Sequence, residues 1–159
     1  TDLSGLPASL DLALVLVAVR DPGNAGTLIR SAVAAGAGAV IFTEGSVDPF
    51  GPKTVRATAG MLFHAPLVVA PSLDEVREAL AARGVKLVGA EAGAGTSHLE
   101  ANLKEPVALV VGNEAWGIPP EFGSRLDETV SIDMPGPAES LNVGIAGSLL
   151  LFEAVRQRR

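Results

Sequence analysis

The chain has 159 residues, 48% apolar and 19% charged, which fits one folded domain with a substantial core and excludes intrinsic disorder. A formal net charge of −6 disfavours a surface that grips nucleic acid everywhere, though it leaves room for a local basic patch. The absence of Cys excludes disulfide and thiolate chemistry and fits a reducing compartment.

Cytoplasm is the default location, because no apolar run is long enough to span a bilayer and residues 1–10 lack the basic start of a signal peptide. Aromatic residues are scarce and Tyr is absent, so the sequence offers little for stacking unpaired RNA bases. The first residue is Thr, not Met, and we expect residues 1–159 to form a single domain with room for an RNA-binding domain upstream.

In chain order, residues 12–19 (LALVLVAV) form an unbroken apolar run, the pattern of a strand covered on both faces. A loop over 20–26 follows, then a helix over 27–35 with Leu28, Ala32 and Ala35 at helical spacing and Gly36 as its stop. Residues 40–43 read as a second strand, 45–52 as a loop with two prolines, 54–59 as a short helix ended by Gly60, and 67–70 as a third strand. Ser72, with Glu75 three residues on, has the pattern of a capping box, and the helix it opens stops at Gly84. Strands over 86–90, 107–111 and 129–132 and a last helix over 141–157 complete the order. Alternating strands and helices predict an α/β protein with a mostly parallel sheet.

Three glycine-rich places invite a nucleotide-loop reading and fail it. Gly36-Ala-Gly38 precedes a strand instead of following one. Gly93-Ala-Gly95 lacks a third glycine, and in the stretch from Gly45 to Thr54 the spacing fails and Pro52 interrupts the phosphate loop. All three read as ordinary turns. Polar residues remain at strand ends: Asn24 and Arg30 around the first helix, Gly112, Asn113 and Glu114 after the fifth strand, Ser140 and Asn142 after the sixth. Loops beyond the carboxyl ends of parallel strands converge on one edge, where ligands bind. The start of the last helix offers backbone N–H groups and a positive dipole end, suited to a polar or anionic ligand. Each residue also has a plain structural use, as a turn residue, a solvated helix residue or a cap.

These segments resemble the three motifs of the SpoU (TrmH) family of the SPOUT superfamily. The first is Asn24-Ala-Gly26-Thr-Leu-Ile-Arg30, similar to the family's N-x-G-x-x-x-R. The second is Leu109-Val-Val-Gly112-Asn113-Glu114-Ala-Trp116-Gly117-Ile118. The third runs from Ile132-Asp-Met134-Pro135-Gly136 through Ser140-Leu-Asn142-Val-Gly-Ile-Ala146.

The resemblance implies a parallel sheet flanked by helices with a C-terminal deep trefoil knot, a homodimer, and S-adenosylmethionine-dependent methylation of a ribose 2′-hydroxyl in RNA. Ribosomal RNA is favoured over transfer RNA, and a binding module of the same fold without turnover is the alternative. By position, the resemblance assigns Asn24, Arg30, Glu114, Ser140 and Asn142 to catalysis and Gly112, Ile132, Met134 and Leu141 to the cofactor. Arg20, Lys53 and Arg56 are the expected phosphate contacts.

The chemistry needs no metal and no membrane. Its two histidines, His64 and His98, lie outside the motifs and read as structural or surface residues. An arginine is effectively always protonated, so Arg30 is expected to clamp a phosphate and stabilise a developing alkoxide instead of taking the proton. The last helix is apolar over more than one face, with Val143, Ile145, Leu149, Leu150, Leu151, Phe152 and Val155, and is expected to pack partly against a second subunit.

Overall fold

The computed structural model describes residues 2–70 and 72–159; Thr1, which belongs to the one-domain reading of 1–159, and Pro71 lie outside the described residues. Six strands, β1 (Leu12–Leu16), β2 (Ala39–Phe42), β3 (Leu67–Val69), β4 (Lys86–Ala90), β5 (Val107–Val111) and β6 (Glu128–Val130), form one sheet in the order β3-β2-β1-β5-β4-β6. Every pairing is parallel. The central strands β1 and β5, in register from Leu12↔Val107 to Leu16↔Val111, are buried at every position, as their unbroken apolar runs require.

Alternation along β1 divides the core into two layers. Leu12, Leu14 and Leu16 pack with helices α1 (Pro22–Ala34) and α4 (Val143–Gln157). Ala13 and Val15 pack with α3 (Leu73–Ala81) on the other face. The short helix α2 (Pro52–Ala57) lies against α1. The contact is close enough that a Cβ added to Gly26 would overlap the side chain of Ala57 and approach its carbonyl carbon to 2.8 Å.

Several boundaries differ by a few residues from the sequence expectation, and three of them have a clear local reason. Helix α1 begins at Pro22, five residues before the expected start, because Asp21 caps it by accepting from Asn24 N–H at 2.8 Å and Pro22 fills the first position. Asn24 therefore stands in the first helical turn and not in a loop. Strand β1 ends at Leu16 because Ala18 takes a positive φ of 53°. Strand β6 stops at Val130 because Ser131 leaves β4 and pairs with the β4–β5 connection, donating to Thr96 O at 2.9 Å while its own carbonyl accepts from His98 N–H at 2.8 Å.

The far end of that connection holds α4. Gln157 accepts from Leu103 N–H at 2.9 Å and donates to Ala101 O at 3.0 Å. Ser72 caps α3 as its sequence predicts, accepting from Glu75 N–H at 3.2 Å. Among the described residues, no helix is long and apolar enough to cross a membrane.

Candidate active site

Beyond the carboxyl ends of β4, β5 and β6 lies a cleft of about 420 Å³. Its walls come from the second and third sequence segments: Gly112 and Glu114 after β5, and Ile132, Met134, Ser140 and Leu141 between β6 and α4. Ile118, Val130 and Val143 add apolar surface. Glu91 and Glu114 contribute carboxylates, and the lining contains no lysine, arginine or histidine among the described residues. A cleft with apolar walls and acidic groups at its edge suits a partly apolar, cationic ligand better than the anion that a bare helix N-terminus would attract.

The start of α4 is not bare. Asn142 caps it, its Oδ1 accepting from Gly144 N–H at 2.8 Å and Ile145 N–H at 3.2 Å. The amides expected to face a ligand are thus satisfied within the chain. The Nδ2 of Asn142 donates to Asn24 Oδ1 at 2.9 Å, which joins the first segment to the third. Gly144 faces this contact; a Cβ there would come to 3.3 Å from Thr27 and 3.4 Å from Asn24 Oδ1.

The loop after β5 is folded tightly. Asn113 and Gly117 exchange backbone hydrogen bonds of 3.0 and 2.9 Å, and Gly117 takes a φ of 71° that favours glycine. A Cβ on Gly112 would run into the backbone of Gly117 and Ile118, so this position admits only glycine. Buried Asn113 donates to Ala18 O at 2.8 Å and accepts from Ala115 N–H at 2.8 Å, tying the loops after β1 and β5 together. Glu114 adds a second tie: its carboxylate accepts from Arg20 N–H at 3.0 Å and from Asp21 N–H at 2.8 Å. These are charge-assisted bonds, the stronger kind.

Of the residues singled out in sequence, the structure gathers Gly112, Glu114, Ile132, Met134, Ser140 and Leu141 around the cleft and sets the Asn24–Asn142 pair beside it. It does not bring in Arg30, which is exposed on α1 outside the cleft lining, nor Lys53 and Arg56, which are exposed on α2. Arg20 is exposed at the rim, its guanidinium 5.3 Å from the centroid of the Trp116 ring.

The SpoU rRNA Methylase family matches residues 11–152, nearly the whole chain. The chain belongs to the SpoU family. The 23S rRNA (guanosine(2553)-2′-O)-methyltransferase RlmP of Bacillus subtilis is 40% identical over 87% of this chain, which spans 56% of that relative's length. The crystal structure of the SpoU methyltransferase AviRb from Streptomyces viridochromogenes, in complex with AdoMet, superposes with a TM-score of 0.92 at 37% identity, covering 99% of this chain and 62% of that one. A structure described as giving insight into 2-OH methylation of C/U34 on tRNA has a TM-score of 0.83 at 34% identity, covering 92% and 95%.

Asn113 stands among the strand-end polar residues that the sequence singles out, and its burial and dual bonding give it a positioning role within this SpoU cleft. Two further lining residues receive no role from the sequence. Glu91 follows β4 and carries no motif. Trp116, 56% exposed, lines the cleft although the scarcity of rings had argued against any stacking surface.

Proposed function

We propose that this SpoU-family chain transfers a methyl group from S-adenosylmethionine to a ribose 2′-hydroxyl of RNA, with ribosomal RNA as substrate. The observation that carries the reading is the cleft built from the second and third motifs, with the first motif bonded to its edge through Asn24 and Asn142. The cleft suits the cofactor: its size falls in the range of small-molecule sites, roughly 300–1,000 Å³, and its walls are apolar with carboxylates at the mouth. Gly112, Ile132, Met134 and Leu141 would hold it, and when bound it supplies a methyl group already activated by a sulfonium.

The chain's own residues position the acceptor. Holding two reactants in line can supply roughly 7–11 kcal/mol of a barrier in favourable cases. Ser140, exposed at the cleft, is placed to hydrogen-bond a ribose hydroxyl. Glu114 and Asn142 position the surrounding loops, since the acceptor atoms of both are engaged by backbone N–H groups. Arg30, Arg20, Lys53 and Arg56 supply exposed positive charge for the RNA backbone. In this reading the active protein is a homodimer, which the exposure of Ile145, Leu149 and Phe152 on α4 supports. The deep trefoil knot belongs to the same reading, supported by the pairing of Ser131 with the β4–β5 connection at the start of the segment that leads to α4. Transfer RNA is the second reading, favoured by the tRNA-directed structure that this chain covers almost completely.

The test is incubation of the purified chain with methyl-labelled S-adenosylmethionine and either ribosomal or transfer RNA. The expected product is labelled ribosomal RNA whose modified linkage resists alkaline hydrolysis, because the 2′-oxygen is blocked. Label in transfer RNA alone moves the substrate to the second reading, and no label in either RNA refutes the activity.

A further inference from the structure

The loop 112–118 carries the chain's single tryptophan. Trp116 sits at the cleft rim, 56% exposed, on a loop locked by the two Asn113–Gly117 backbone bonds. The Arg20 guanidinium lies over its ring at 5.3 Å. Glu114, two residues before Trp116, holds the backbone N–H groups of Arg20 and Asp21 and so anchors the backbone from which the Arg20 side chain reaches the ring. Two loops from different strands thus assemble one exposed aromatic–cation pair at the mouth of the cleft. Exposing a large ring on a rigid loop leaves apolar surface in water, and this ring is the largest side chain so displayed at the site.

We propose that Trp116, supported by Arg20, is a stacking platform for an RNA base beside the ribose that enters the cleft. Every base has a π-face, and base–aromatic stacking needs no particular base edge. Arg20 serves the same nucleotide twice, through cation–π contact with the ring and through its charge toward the neighbouring phosphate. A rim position, more than half in solvent, suits a base that arrives with the RNA; the adenine of a cofactor would be held by the less exposed apolar surface at Ile132 and Leu141. The platform rests on the RNA-methyltransferase reading for its occupant. It makes Trp116 a substrate-positioning residue, outside the methyl-transfer step.

The chain contains one Trp and no Tyr, so tryptophan emission reports on Trp116 alone. The test titrates the whole chain with three probes at fixed ionic strength: a short single-stranded oligoadenylate, an abasic ribose-phosphate strand of the same length and charge, and S-adenosylmethionine. The oligoadenylate should quench the emission and the abasic strand should not. With a fluorescein-labelled oligoadenylate followed by anisotropy, Trp116→Ala should weaken binding roughly 5- to 150-fold, with most affinity kept by Trp116→Phe. In both variants the loss of oligoadenylate affinity should exceed any loss of S-adenosylmethionine affinity.

Equal quenching by the abasic strand, unaltered oligoadenylate affinity in Trp116→Ala, or no oligoadenylate binding by the wild-type chain overturns the platform. So does a loss of S-adenosylmethionine affinity in place of RNA affinity, which would assign the ring to the cofactor. Methyl transfer by the wild-type chain, measured in parallel, judges the enzymatic reading separately, and the quenching data decide the platform whichever way that assay falls.

Discussion

Asn142 joins two tasks that a pair of substitutions can separate. Its Oδ1 caps α4 and its Nδ2 reaches Asn24, the link between the first and third motifs. Asn142→Ala removes both, and loss of the cap costs about 1 kcal/mol of stability, read as a lower Tm. Asn142→Asp keeps an oxygen for the cap and lacks the donor, so its Tm should stay near wild type while methyl transfer falls roughly tenfold. If the Asp variant matches wild type in activity, the Asn24 contact is not part of the working site. The polar residues of the site were legible in sequence as types at strand ends, but their work was not. Nothing local to Glu114 predicts that it clamps the backbone of residues 20 and 21, some 90 positions away. Trp116 was missed for a related reason: composition counts rings, and a single ring suffices when the fold exposes it at a cleft.

The element boundaries turn on chemistry one residue wide. The Asp21–Pro22 pair opens α1 and was overlooked because the apolar period starts only at Leu28. The strands were legible because burial on both faces writes itself as unbroken apolar runs, whereas β6 is short, lies at the sheet edge and continues into a different pairing. Helix contacts explain the motif glycine. Gly26→Ala would drive a methyl group into Ala57 and should cost about 1–3 kcal/mol, visible as a lower denaturant midpoint with loosened α1–α2 packing. An unchanged midpoint would mean that α2 moves away at no cost.

Helix α4 carries a pH signature as well. Glu153 is 7% exposed, and hydrogen bonds from Arg156, then Gln157, hold its pKa down at about 2. A carboxyl depressed in the folded state stabilises above its unfolded value of about 4.5 and loses that contribution as pH falls toward 2. Because Arg156 is largely exposed, the contribution is on the order of 2 kcal/mol. Glu153→Gln should therefore flatten the acid side of the stability profile between about pH 4.5 and 2, and a variant profile parallel to wild type would reassign the acid sensitivity.

At the scale of the molecule, the sheet faces are closed and the outer face of α4 is not. Leu150, Leu151 and Ala154 point into the core, while Ile145, Leu149 and Phe152, spaced four and three apart, form one apolar stripe between 44% and 52% exposed. A stripe of this kind on a terminal helix fits a self-complementary contact, in which the same residues of two copies meet about a two-fold axis. Helix α1, which packs beside α4 and bears Asn24 and the exposed Arg30, would then lie close to the partner as well. The proposed homodimer is tested by Leu149→Glu combined with Phe152→Glu. Both side chains are half exposed within one copy, so helix content should persist, while two carboxylates placed in an apolar contact should raise the dimer dissociation constant by roughly a hundredfold or more. Sedimentation should show a dimer for the wild-type chain and a monomer for the variant at the same concentration, and methyl transfer should fall with the loss of the dimer. A wild-type chain that sediments as a monomer, or a variant that remains a dimer, removes α4 from the interface and returns the stripe to an exposed surface without a partner.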